Sequence, residues 1–210
     1  MFKNLFGLPV YKSKINPDIY NKKEIIDTIT ENYLKDKTRN SWDSLSSLHH
    51  SNNDEENKNF KEINYQDLLP IYNKEISKFL DSMSLLRYTK FSYNVSNYTC
   101  MENSNYMKSH YHNDCDFNLV HYIKFNKTQH IPTLYENTHS FSNYCRDLRP
   151  NLKNVLDSSS ENNSWYYSNY CVEVNEDDFV ITPAFLFHSV PLQKNVTETR
   201  MTIVLNILLS

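Results

Sequence analysis

Arg200-Met201-Thr202-Ile203-Val204-Leu205-Asn206-Ile207-Leu208 reads as a strand with two unlike faces. Side chains alternate across a strand, so Arg200, Thr202, Val204 and Asn206 share one face. Met201, Ile203, Leu205 and Ile207 share the other. An arginine on an otherwise apolar strand is costly unless it is paired. Its planar fork suits a carboxylate held at two points, with the Thr202 hydroxyl as a third donor.

The segments upstream carry more strand signals. Tyr88, Phe91, Tyr93, Val95 and Tyr98 are β-formers in a mixed, alternating pattern. Further candidates are Asp116–Phe125, Pro132–Tyr135, Ser164–Val174, Phe179–Ile181 and Arg200–Leu208. The gaps hold few helices, Ser140–Leu156 being the exception, so parallel βαβ units are not expected. The first 84 residues read as helical. Ile25, Ile26, Ile29, Tyr33 and Leu34 recur at helical spacing, as do Leu68, Leu69, Tyr72, Ile76, Phe79, Leu80 and Met83. Pro70 then belongs in the first turn of the second helix. Between them, Asn40 to Lys61 is polar, with Trp42, Leu45 and Leu48 as anchors. It is long for a structureless loop and is expected to pack on something.

Helices first and many turn-linked strands after predict a mainly β fold with N-terminal helices: an antiparallel barrel or jelly roll on a helical support. One domain is expected over residues 1–210, with the support at 1–84 and the β core at 85–210.

A chain of 210 residues with 39% hydrophobic content can bury one real core. Its net charge of −3 argues against broad nucleic-acid binding. The single glycine, Gly7, where average usage predicts roughly 15, excludes glycine-rich phosphate loops and the GxSxG elbow. The 28 asparagines are the next-best residues for turns. Cys100, Cys115, Cys145 and Cys171 lack CxxC spacing and read as free thiols. With no long apolar run and no basic leader, neither a membrane span nor a signal peptide is expected, and the predicted location is the cytoplasm.

Ser109-His110-Tyr111-His112-Asn113-Asp114-Cys115-Asp116 is the densest cluster of metal-capable side chains. If extended, it puts His110, His112, Asp114 and Asp116 on one side, although Asn113-Asp114 suits the start of a turn. A His-x-Asp pair and a distal histidine make a facial triad that leaves positions open for substrate and O2. His188 is the best distal candidate, since it follows the apolar run Phe179 to Phe187. Arg200 comes 12 residues later.

This order resembles the 2-oxoglutarate- and Fe(II)-dependent oxygenases, whose fold is a double-stranded β-helix, a jelly-roll variant. The nearer likeness is to a group from marine phages and bacteria. It shows His-x-His, a Val-Tyr-Tyr-like strand, a Pro-to-His-x-Val stretch and a final Arg-x-Ser-x-x-x-Asn. The matching residues are His110-x-His112, Val120-His121-Tyr122-Ile123, Pro183 to His188-Ser189-Val190, and Arg200-x-Thr202-x-x-x-Asn206. Leu5 to Tyr11 and Ser41-Trp42 extend the resemblance across nearly the whole chain. Two glycines of the relatives are missing, one where Asp177-Asp178 precedes Phe179, the other near Asn118-Leu119.

The resemblance implies a dioxygenase that hydroxylates an unidentified substrate and releases succinate and CO2. Fe(II) would be held by His112, Asp114 and His188, or by His110 and His112 with His188. The first set is favoured because a carboxylate offsets the metal charge. 2-Oxoglutarate would meet Arg200, Thr202 and Tyr122, with O2 and the substrate as the other partners. His110, Asp116 or Asn206 would then support an imidazole from behind.

Plainer readings stand beside these. His110–Asp116 also reads as a polar surface turn, His49-His50 as a solvated pair, and His121 and His130 as structural or surface residues. Trp165, Tyr167 and Tyr170 read as strand packing, and Asn52–Asn57 as a solvated loop. The competing functions are a catalytically silent jelly-roll module and a Zn(II) hydrolase using the same ligands.

Overall fold

Alternation in the C-terminal strand organises the fold. A computed structural model describes residues 8–40, 43–51, 59–87, 89–137 and 169–210. Among these residues, ten strands run in the order β1 (Tyr11–Lys14), β2 (His49–His50), β3 (Phe91–Met101), β4 (Met107–His110), β5 (Phe117–Lys124), β6 (Leu134–Glu136), β7 (Asn169–Cys171), β8 (Asp178–Pro183), β9 (His188–Val190) and β10 (Arg200–Leu209). Among the described residues the α-helices are α1 (Lys22–Lys35) and α2 (Leu68–Ser82). Six strands form one antiparallel sheet in the order β1-β8-β5-β10-β3-β2, and four form a second in the order β4-β9-β6-β7.

The larger sheet has both faces covered. Met201, Ile203, Leu205 and Ile207 of β10 join Leu119, Ile123, Phe179 and Ile181 against Ile25 and Ile29 of α1 and Tyr72, Ile76 and Phe79 of α2. Val120, Tyr122, Val180 and Val204 face the other way and pack with Tyr135 of the smaller sheet and Val172 just after β7. Burying each large aliphatic side chain contributes about 1.5–3 kcal/mol, so the sequence alternation is enforced strand by strand. Pro70 lies in the first turn of α2, where its missing N–H is not required.

The first 84 residues are not helical throughout. Tyr11–Lys14 pairs with β8 at one sheet edge, and His49–His50 pairs with β3 at the other. Strands this short carry too few alternating positions to be read from sequence. The His49-His50 reading also changes: His49 is fully buried and His50 nearly so. His49 is held between the Asp36 carbonyl (2.6 Å) and the Tyr98 hydroxyl (3.3 Å). The readings placed on Leu5–Gly7, Ser41-Trp42, Asn52–Asn57, Ser140–Leu156, Cys145, Trp165 and Tyr167 lie outside the described residues. Cys100, Cys115 and Cys171 are free thiols.

The glycine missing before Phe179 has a structural counterpart. Asp177 adopts φ 69°, the left-handed region that favours glycine. Its carboxylate takes the Lys22 ammonium at 2.7 Å, and its backbone N–H donates to the Tyr122 carbonyl at 2.9 Å. These contacts offset the backbone strain. Both Asp177→Ala and Asp177→Gly lose the Lys22 ion pair and the Tyr20 hydroxyl bond, but only the glycine also removes the Cβ that the left-handed backbone disfavours. Denaturant unfolding should therefore show the alanine variant about 1 kcal/mol less stable than the glycine variant.

His121 lies on the helix side of β5, fully buried, its Nδ1 hydrogen-bonded with the Tyr72 hydroxyl at 2.8 Å. Among the described residues, its Nε2 has no hydrogen-bond partner. Burial, with Lys22 nearby, pushes its pKa down to about 3. Unfolded histidine binds its proton near pH 6.5, so acidification below that value favours the unfolded chain until about pH 3. His121→Gln retains a hydrogen-bond partner for Tyr72 and removes this term. Between pH 6.5 and 5, its loss of stability should be smaller than wild type's by about 2 kcal/mol, measured by urea unfolding.

Candidate metal and anion site

Between the sheets lies a cavity of about 430 Å³, lined by β10, β3, β4, β9 and the segment after β4. Arg200, Thr202, Val204 and Asn206 all line it, as the two-faced reading of β10 requires.

Three imidazoles meet on its wall. His110 ends β4 and His188 opens β9, and the two stand directly opposite in the strand pairing. Their rings lie 4.3 Å apart, centroid to centroid. His112 is brought in by its backbone N–H, which donates to the Ala184 carbonyl at 2.9 Å. Its ring stacks on His188 at 5.3 Å. Potential ligand atoms of His110, His112 and His188 all fall within 4.8 Å of one another. Asp114 groups instead with His112 and Cys115, and shares no such group with His188. Chain direction explains this: β4 ends at His110, and a bend at Asn113-Asp114 breaks the alternation.

The histidines are held neutral, as metal ligands must be. Burial and the neighbouring His110 push His188 down to about 3 and His112 down to about 4. Burial lowers His110 as well. His188 Nδ1 sits 2.9 Å from the Leu186 carbonyl, and His110 Nδ1 3.0 Å from the Lys108 carbonyl. Each carbonyl takes an N–H, so Nε2 carries the lone pair in both rings.

Deeper in the same cavity is Arg200, 1% exposed. Its Nη1 donates to Met101 Sδ at 3.5 Å, and among the described residues Nε has no partner. Among the described residues, no carboxylate pairs with it. The guanidinium carbon lies 5.3 Å from the centre of the Tyr122 ring. Tyr122 itself stands behind the cavity wall, its hydroxyl donating to Thr133 at 2.9 Å. Thr202 shares a 2.7 Å hydroxyl contact with Thr99 beside Arg200. Burial of an unneutralised guanidinium is expensive, and pulls its pKa below the usual arginine value. Such a group implies an anionic ligand.

Other candidates have structural work. Asp116 accepts from the Leu209 backbone N–H at 2.8 Å. His130 bridges the Asn126 N–H and the Glu198 carbonyl. Tyr170 lies on β7, half exposed. The cavity wall also includes His50, Asn97, Thr99 and Thr133, which the sequence reading missed. Asn97 and Thr99 were accessible in principle, since they alternate with core residues Tyr98 and Cys100. His50 had no such signal, because its strand has two residues.

No protein-family model matches the sequence, and no curated protein matches it. Solved structures do. A prolyl-4-hydroxylase from Pseudomonas putida is similar with a TM-score of 0.53 at 8% identity, over 95% of this chain and 92% of that one. A viral collagen prolyl hydroxylase from Paramecium Bursaria Chlorella virus-1, determined with 2OG, gives 0.51 at 13% identity, over 94% and 95%. At such identities the likeness establishes a common fold across nearly both whole chains.

Proposed function

We propose, from a fold shared with two prolyl hydroxylases, that this chain is an Fe(II)- and 2-oxoglutarate-dependent oxygenase acting as a hydroxylase. The observation that carries the reading is Arg200: a buried guanidinium without a carboxylate, in the same cavity as three neutral imidazoles. Fe(II) would be held by His110, His112 and His188, the one of the two converging sets that includes the distal histidine. Bound together, the metal and 2-oxoglutarate supply the oxidising chemistry that couples O2 to C–H hydroxylation, with succinate and CO2 released. The chain's own residues orient and enclose. Arg200 takes the far carboxylate of the cosubstrate in two-point geometry, and Thr202 and Thr99 add hydroxyls beside it. Tyr122 and Met101 hold the guanidinium in place from behind. Val120, Val190 and Val204 exclude water along the wall.

Three imidazoles also suit Zn(II), as in a hydrolase with metal-bound water. That reaction leaves Arg200 without a purpose, so the oxygenase is favoured. A silent binding module leaves both features unexplained. Anaerobic addition of Fe(II) and 2-oxoglutarate should produce a weak visible charge-transfer band, and air should then yield succinate. No band and no succinate would sink the reading. No helix among the described residues is long and apolar enough to cross a membrane.

A further inference from the structure

We propose that Asn206 is a positioning residue for the His112 imidazole, and that Asp114 acts through Asn206 rather than on the metal. The inference rests on the all-imidazole metal set proposed above.

His110 and His188 each have a backbone carbonyl at Nδ1, which decides the nitrogen that bears the proton and the one that faces the metal. Among the described residues, no backbone carbonyl serves His112 in this way. What stands beside its ring is Asn206, 7% exposed, on the cavity face of β10. Asn206 shares the cavity wall with His112 and bonds Asp114, whose carboxylate lies within 4.8 Å of a His112 ring nitrogen, so its amide is the side chain placed to meet the ring.

Which end of the amide does this is settled by Asp114. A carboxylate only accepts, and Asp114 Oδ2 takes Asn206 Nδ2 at 3.3 Å. The amide nitrogen is thereby committed, and Oδ1 is the end left for the ring. Oδ1 is buried and closes no hydrogen bond as the chain stands. A buried unsatisfied acceptor is costly, and the N–H of His112 is the donor that relieves it once the ring turns its lone pair to a metal. The relay is carboxylate to amide to imidazole. It also accounts for Asp114 lying near His112 yet apart from His188. The third imidazole is thus oriented by side chains, where the other two are oriented by backbone.

The test titrates the full chain with Co(II) alone, read from its visible absorption, and reads the His112 tautomer in the Zn(II)-loaded chain by long-range 1H–15N NMR. Asn206→Leu should weaken Co(II) binding about 10- to 100-fold and turn His112 from one tautomer into a mixture. The double exchange Asp114→Asn/Asn206→Asp reverses donor and acceptor between the two positions and leaves a carboxylate oxygen for the ring. It should recover Co(II) affinity to within about threefold and restore the single tautomer. This rescue separates positioning from mere packing and keeps the test informative if the leucine variant does not fold. Wild-type affinity and an unchanged tautomer in Asn206→Leu would overturn the proposal, as would failure of the exchange to rescue. Loss of Co(II) in Asp114→Ala as complete as in His188→Ala would overturn it too, by making Asp114 a ligand. Failure of the metal reading itself shows differently: wild type then takes up no Co(II) at all.

Discussion

Arg200→Met should make the ligand-free protein more stable while crippling its use of 2-oxoglutarate. The guanidinium is buried, carries full charge, and meets a thioether and the Tyr122 side chain but, among the described residues, no carboxylate. Replacing buried ionic groups by apolar side chains of similar volume is neutral or stabilising by about 1–4 kcal/mol. Urea unfolding should show a gain within that range. Removing one partner of a buried charge pair loses about 2–5 kcal/mol of binding, so the 2-oxoglutarate requirement should rise about 30- to 5,000-fold. Metal affinity should stay within a few-fold of wild type, because Arg200 belongs to neither candidate ligand group. Stabilisation together with lost cosubstrate binding is the signature of a functional cation. A destabilised variant that still responds to the wild-type 2-oxoglutarate concentration would make Arg200 a structural group.

The second large effect concerns the metal. His188→Ala and His110→Ala should each abolish measurable Fe(II) binding in anaerobic calorimetry, a loss of at least about 1,000-fold. Asp114→Ala should cost no more than about 10-fold. The contrast follows from position. His110 and His188 are opposed across β4 and β9, with rings 4.3 Å apart. Asp114 is exposed beyond the bend and spends one oxygen on Asn206. If Asp114→Ala instead erased binding and His110→Ala spared it, the ligands would be His112, Asp114 and His188. The cosubstrate reading would survive, since it rests on Arg200.

Much of the scaffold was legible because strand alternation is a local property. Both faces of Arg200–Leu209 are as the residue types demand, with Met201 to Ile207 under the helices and Arg200 to Asn206 on the cavity. The helical spacing of Ile25, Ile29 and Tyr33, and of Leu68, Tyr72, Ile76 and Phe79, corresponds to α1 and α2. The edge strands were hidden for a physical reason. Tyr11–Lys14 and His49–His50 are strands because β8 and β3 offer them unpaired backbone, a non-local cause. His49 illustrates the consequence. A polar residue in a polar stretch became fully buried once a carbonyl and a tyrosine hydroxyl satisfied it.

The site divides along the same line. By itself the sequence determined which residues carry chemistry: a histidine-rich cluster at 110–116, a histidine after an apolar run, and an arginine on an apolar strand. It also determined that Arg200 needs an anion, because burying charge on such a strand is costly whatever its neighbours. Only the tertiary structure decided which of those residues meet. Period-two alternation counts His110, His112 and Asp114 as equivalent, and that equivalence ends where the strand ends. β4 stops at His110, the chain bends, and β9 arrives opposite with His188. Convergence of ligand atoms depends on strand pairing and on where a strand terminates. Both are set by long-range backbone hydrogen bonds that no local pattern records.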